Sequence, residues 1–427
     1  MRANGPLRAP LALLAFVLAA APIAAFYTLL SQVSVNVPFL DDYDTILGFL
    51  VANSDPQATG SRWQDLAAPH LEHRLALLRA VALALVSLKG AVDFRTLAWL
   101  GNLGVLALAL LLLAVFRKQA PFSARILAFV PATWILFQPQ YWNAFFWATS
   151  SLSNLWVLPF GLLCFHGLGH PGRSAFILSM TSGGLAVLAQ ANGLLVLPIG
   201  ALILLRGHRW QAAAIWAVFS LVVALAYGAG LERPDGSIGI LESLGRPSVW
   251  LYALYFLGAA AGFGAPLPSL LAGLAIVIVT AGVLPRAMKY NTALSGLLLL
   301  VVASGLLNAL GREFIAGADY ALGAVRYRFY GSVAIALVYL VAIEGLATPR
   351  IRRRVLATAI PLSLAFGIGS YAIHTEKAYE TSARLEQGLA RWERDGQGLR
   401  YPHSEKAGEI LRKAIASGIY RPGNLDH

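Results

Sequence analysis

Charge is scarce in this chain of 427 residues: 13% of positions carry one, about half the share of a soluble domain. That shortage argues against a water-soluble enzyme. Cysteine is scarcer still. The single Cys164 sits in an apolar run, which excludes a disulfide framework and any cysteine-based metal site. Internal repeats, low-complexity tracts and a Gly-rich phosphate loop are also missing. What fills the chain is apolar sequence, 58% hydrophobic with a mean hydropathy of +0.65. The 40 glycines, 21 prolines and 10 tryptophans fit a polytopic membrane protein, where all three are common. The expected fold class is therefore an all-α integral membrane protein. A net charge of +12 and a pI near 9.9 suggest nucleic acid only if the charges form a basic patch on a folded surface.

Apolar runs of roughly 17 to 25 residues read as spanning helices. The first, from Pro10 to Leu30 behind Arg2 and Arg8, has an apolar core too long for a cleaved signal peptide and reads as an uncleaved helix. Ten more are expected near 97–116, 123–139, 150–168, 174–190, 191–205, 211–229, 268–285, 292–310, 327–347 and 356–373. Two shorter apolar stretches, 75–88 and 248–262, end in turn signals at Lys89-Gly90 and Gly262-Phe263-Gly264-Ala265-Pro266. If both return to the side they came from, the bundle has eleven spans; if both cross, it has thirteen.

The positive-inside tendency favours eleven. With eleven spans the cytoplasmic side holds 14 basic residues against one acid, Glu344, and the outer side holds 19 basic and 20 acidic residues. The excess positive charge is then a record of membrane orientation, with no call for nucleic acid. Residues 1–373 form the transmembrane domain, with 31–96 as its first outer loop. Residues 374–427 form a helical tail outside the membrane, holding 17 of the chain's 54 charged residues.

Four polar clusters stand on the outer side. Asp41, Asp42 and Asp44 open the first loop; three carboxylates so close repel one another and favour a cation, a raised pKa or a cationic partner. They read as a general base or metal ligand, or as a solvated loop start. His70, His73 and Arg74 share one face if helical. They suit an anionic head group or, with nearby carboxylates, a metal, although no established zinc spacing is present; an interfacial helix start with snorkelling charges is the bland alternative. Gly311-Arg312-Glu313 and Arg326-Tyr327-Arg328 place arginines against the positive-inside tendency. The guanidinium fork suits phosphate oxygens, or these arginines pair with Glu313 and Asp319. Last, Tyr141, Trp142, Asn143, Phe145, Phe146 and Trp147 read as an interfacial aromatic belt, though Asn143 and Trp147 also suit a sugar ring.

Taken in order, these elements resemble the GT-C superfamily of polytopic membrane glycosyltransferases, in particular its bacterial members that use polyprenyl-phosphate-linked sugars. The resemblance runs through the acidic loop Asp41-Asp42-Tyr43-Asp44, the Glu72-His73-Arg74 element before a juxtamembrane helix, and the aromatic loop with Asn143 and Trp147. It continues through the break at Asn192, Gly193, Leu194 and Pro198 to the pairs Gly311-Arg312 and Arg326-Tyr327. Leu71 and Arg328 depart from the usual pattern. The resemblance implies a bacterial inner-membrane enzyme with a cytoplasmic N-terminus. It implies inverting transfer of the sugar to an envelope glycan, lipid or protein on the outer face. Asp41 or Asp42 would be the base. Asp44, Glu72, His73, Arg74, Asn143, Trp147, Arg312, Arg326 and Tyr327 would bind substrate. A divalent metal is used in some branches and stays open here. The rival readings are another lipid-phosphate-dependent envelope enzyme, such as an O-antigen ligase or polymerase or a phosphotransferase, and a transporter or flippase.

Overall fold

An apolar segment with no water to satisfy its peptide groups must pair them internally, which selects helices. The structure, a computed structural model, describes residues 8–54, 62–70, 73–117, 120–231, 238–346 and 348–423, without the side chains at 8, 9, 62–64, 70 and 73. Apart from a two-residue antiparallel ladder, Pro69–His70 with His73–Arg74, and an isolated bridge between Val92 and Tyr420, its regular structure is helical.

Among the described residues, eight helices are long and apolar enough to cross a bilayer. They are α1 (Pro10–Val33), α2 (Phe94–Val115), α3 (Ala148–Leu168), α4 (Trp210–Gly228), α5 (Pro266–Tyr290), α6 (Thr292–Ala316), α7 (Val325–Gly345) and α8 (Pro349–Asp395). Three more of the expected segments are apolar helices of sub-spanning length, Phe122–Leu136, Arg173–Ala189 and Ala191–Arg206. The stretches that left eleven and thirteen open form short helices, Ala76–Lys89 and Pro247–Gly258, and neither reaches spanning length.

Large apolar side chains stay exposed along α4 and α5, including Val218, Leu221, Val222, Leu225, Leu267, Leu271 and Ile278. A soluble protein rarely leaves so continuous an apolar surface open, so these faces belong in lipid. The buried core lies between α2, α3, α6 and α7. Backbones approach closely where side chains are absent. A Cβ added at Gly258, Gly262 or Gly273 would run into the backbone of Ser269 or Leu254, so Pro247–Gly258 and α5 pack through small residues, a usual device between membrane helices.

The tail differs from expectation. No break falls at 373–374; α8 runs unbroken for 47 residues, about 70 Å, which exceeds a hydrocarbon core of about 30 Å. It ends at Gly396, whose φ of +77° takes the left-handed cap that glycine favours. The chain then returns through Ser404–Ala416, which packs against the acidic loop. Leu40 N donates to Arg400 O at 3.2 Å, Val92 N to Ile419 O at 2.7 Å, and Tyr420 Oη to Asn36 O at 2.7 Å. Tail and first loop thus form one cap over the end of the bundle.

The small-residue contact makes a direct prediction. Gly273→Leu should sharply lower the yield and melting temperature of purified protein, whereas Gly282→Leu on the same helix, with open space around it, should leave both unchanged.

Candidate functional site

Asp42 decides how the acidic loop is held. Its carboxylate is fully buried and accepts four hydrogen bonds: from Phe39 N at 3.2 Å, Ala148 N at 3.2 Å, Thr149 N at 2.8 Å and Thr149 Oγ1 at 2.6 Å. Ala148 and Thr149 begin α3, so an anion from another segment satisfies N–H groups at the start of that helix. Burial, the largest influence, pushes the Asp42 carboxyl up to about 7 against the pull of those four donors. With its oxygens engaged in these bonds, Asp42 is placed to position the loop.

The loop itself is bent. Leu40 has φ +52°, a left-handed conformation that strains a branched side chain, and Tyr43–Gly48 follows as a π-helical turn, a form frequent at functional sites. Asp41 is half-buried there, and its carbonyl accepts from Thr45 N at 2.8 Å and Thr45 Oγ1 at 2.7 Å. Asp44 faces the tail: it accepts from the Tyr401 hydroxyl and meets Lys406 Nζ at 2.9 Å. Burial, then the bond to Asp44, raises the Tyr401 phenol. Asp42 and Asp44 thus each hold part of the loop in place.

The aromatic segment is not a belt. Pro139–Phe145 folds as a 3-10 turn, and Tyr141, Phe145, Phe146 and Trp147 are buried inside the bundle. Trp147 packs edge-on against Phe39, with ring centroids 6.1 Å apart, and presents its ring to Arg326, whose guanidinium carbon lies 5.1 Å from the ring centre. Arg326 also lies over the Tyr327 ring at 4.5 Å and donates to the hydroxyls of Tyr320 at 2.9 Å and Tyr327 at 3.1 Å. Its partners among the described residues are thus aromatic faces and phenols, with no carboxylate to balance its charge.

Tyr327 and Arg312 line a polar cavity of about 80 Å³ with Asn154, Gln190, Asn192, Ser304, Asn308 and Tyr330, room for a few water-sized groups. Asn192 donates to Ser304 Oγ at 3.0 Å and Tyr330 Oη at 2.9 Å. Asn143 Oδ1, Trp147 Nε1 and Asn192 Oδ1 are three of sixteen buried side-chain polar atoms with no hydrogen-bond partner among the described residues. These three lie in the aromatic segment beside Arg326 and next to the cavity, and the others are spread over the rest of the molecule.

The structure therefore joins Asp42, Asn143, Trp147, Arg326, Tyr327 and Arg312 through one run of contacts and chain neighbours, and leaves Arg74 out. Arg74 Nε donates to Tyr227 O at 2.7 Å, and its terminal nitrogens bond Ala67 O and Ala229 O. It satisfies carbonyls at the end of α4, a cation at a helix C-terminus. Its guanidinium is thus engaged with backbone carbonyls. Glu72 and the His73 side chain lie outside the described residues. Among those described, no group of three or more His, Cys, Asp or Glu is placed to hold a metal ion. Asp42 and Asp44 are already engaged, so the acidic loop is a poor fit to a metal and no step below runs through one.

Tyr320, Tyr401 and Lys406 were beyond reach of sequence pattern, but Ser304, Asn308 and Arg312 were not. Spaced by four on one helix face, they make a polar stripe in an apolar span, and such residues are costly in lipid. Set against protein-family models and curated proteins, the sequence matches none.

Two substitutions test the clamp. Asp42→Ala strands four buried donors and should cost about 3 kcal/mol or more, read as a lower melting temperature of the purified protein. Asp44→Asn and Tyr401→Phe should be non-additive by about 1 kcal/mol in a double-mutant cycle; additivity would mean that their hydrogen bond contributes nothing.

Proposed function

We propose that this chain is a GT-C-type membrane glycosyltransferase, which moves a sugar from a polyprenyl-phosphate donor to an envelope glycan, lipid or protein with inversion. The observation that carries the reading is Arg326, a largely enclosed cation bordered by aromatic rings and phenols, set between the acidic loop and a polar cavity lined by Arg312. A phosphate supplies the charge such a guanidinium is suited to pair. Trp147, whose indole N–H, and Asn143, whose carbonyl oxygen, lack a partner among the described residues, offer the apolar platform and polar groups that a sugar ring needs.

The chemistry follows from those positions. Asp41 takes the proton of the acceptor hydroxyl. The acceptor oxygen bonds to the anomeric carbon as its bond to the phosphate oxygen breaks from the opposite face, so configuration inverts. The lipid phosphate leaves with the electron pair, and Arg326 and Arg312 neutralise the charge as it develops. Asp42 holds the loop that carries Asp41, and Asp44 ties that loop to the tail.

In this reading the eight long helices and the three shorter apolar ones make eleven spans. The basic loops face the cytoplasm of a bacterial inner membrane, and the cap and site face outward. The donor reaches the site laterally through the bilayer.

Asp41→Asn should lower transfer by about 100-fold or more with an unchanged melting temperature; full activity would remove the base assignment. Mass spectrometry of envelope glycans from cells with and without the gene should show a missing sugar. An unchanged set of glycans with altered lipid transport would favour a flippase.

A further inference from the structure

A second cavity, of about 750 Å³, is lined by Arg206, His208, Arg209 and Lys289, with no Asp or Glu among its described lining residues. Its position is fixed by the helices. Thr292, at the start of α6, lines it, and Arg312 stands twenty residues later on the same helix, about 30 Å away at 1.5 Å per residue. Leu168, at the far end of α3 from Trp147, lines it too. The cavity is therefore one hydrocarbon thickness from the candidate site, at the opposite end of the bundle.

The cations are held differently. Arg209 donates to Leu168 O at 2.6 Å and His170 O at 3.1 Å, which anchors it to neighbouring carbonyls. Arg206 reaches Pro285 O on α5 at 3.4 Å, and Lys289 is exposed. The chain turns between the two arginines at His208, with φ +52°. Apolar groups border the cations: Leu168, Ile203 and Met288 line the cavity, while exposed Leu202 and Leu205 precede the turn and Trp210, 64% exposed, follows it with its ring centroid 6.4 Å from that of His208. Tryptophan at a helix end suits the membrane–water boundary. A freely dissolved anion gains nothing from such a rim, whereas a lipid uses both parts.

We propose that this cavity binds the phosphate-bearing headgroup of an anionic membrane phospholipid, whose acyl chains lie along Leu202 and Leu205. The headgroup phosphate meets Arg206 and Lys289, and Arg209, already anchored, adds its charge from the wall. Basic pockets between membrane helices recognise lipid headgroups in this way. The site is independent of the glycosyltransferase reading, because it needs only the bundle and the bilayer.

Trp210 provides the signal. The full-length protein is reconstituted in phosphatidylcholine vesicles containing brominated phosphatidylglycerol or brominated phosphatidylcholine, and fluorescence quenching is compared with that of Trp210→Phe. The Trp210 component should be quenched at several-fold lower mole fraction by the anionic lipid. Lys289→Gln should lower that preference at least twofold, and Arg206→Gln with Lys289→Gln should abolish it. The charge-matched pair Arg350→Gln with Arg354→Gln should leave it intact. Lys289→Gln alone keeps the test decisive if the double variant fails to fold. Equal quenching by the two lipids, or a preference unmoved by Lys289→Gln, overturns the proposal. Full displacement by millimolar inorganic phosphate also overturns it, in favour of a soluble-anion site.

Discussion

The carboxylate of Asp42 at the start of α3 is the contact on which the arrangement of this site rests. One buried side chain joins the loop that follows α1 to the third candidate span, more than a hundred residues away in sequence. It fixes Asp41 on one side of itself and Trp147 on the other, because Trp147 directly precedes the N–H groups it binds. Burying a charge is costly unless its hydrogen bonds are met. Here four donors meet them, and the loop is left with little freedom to shift.

From that clamp the polar groups extend in one direction. Trp147 carries Arg326, Arg326 binds Tyr327, and Tyr327 borders the cavity that Arg312, Asn192 and Asn308 complete. The alternating aromatic and guanidinium groups let a cation sit in a largely enclosed place without a carboxylate partner among the described residues, through ring faces and phenol oxygens. The opposite end of the bundle is basic but built otherwise, with an open cavity edged by apolar side chains. The two ends thus offer different chemistry across one membrane thickness, a confined polar site at one and an open cationic surface at the other.

Much of the fold was legible because lipid imposes a simple rule. Long apolar runs must be helices, and all eleven expected segments coincide with helices, eight of them of spanning length and character. The residues of the candidate site were legible where polarity interrupts an apolar pattern, as at Arg312, Arg326 and Asn192. It was illegible where tertiary contact assigns the role. Nothing local separates Asp42, saturated by α3, from Asp41 beside it. Arg74 resembles an anion binder until Tyr227 and Ala229 bring their carbonyls to it. The aromatic segment has the composition of a belt, yet its 3-10 turn runs into the core. The tail reads as a separate appendage because α8 changes from apolar to charged midway, while its backbone continues without a break.

Arg326 and its neighbours are the proposed site for a lipid-linked phosphate. The most direct measurement is binding of a polyprenyl phosphate and of the matching polyprenol to the purified protein and to Arg326→Gln. The phosphate should bind the native protein at least tenfold more tightly than the alcohol, and Arg326→Gln should abolish that difference. Equal binding of alcohol and phosphate, or an undiminished preference in Arg326→Gln, would contradict it.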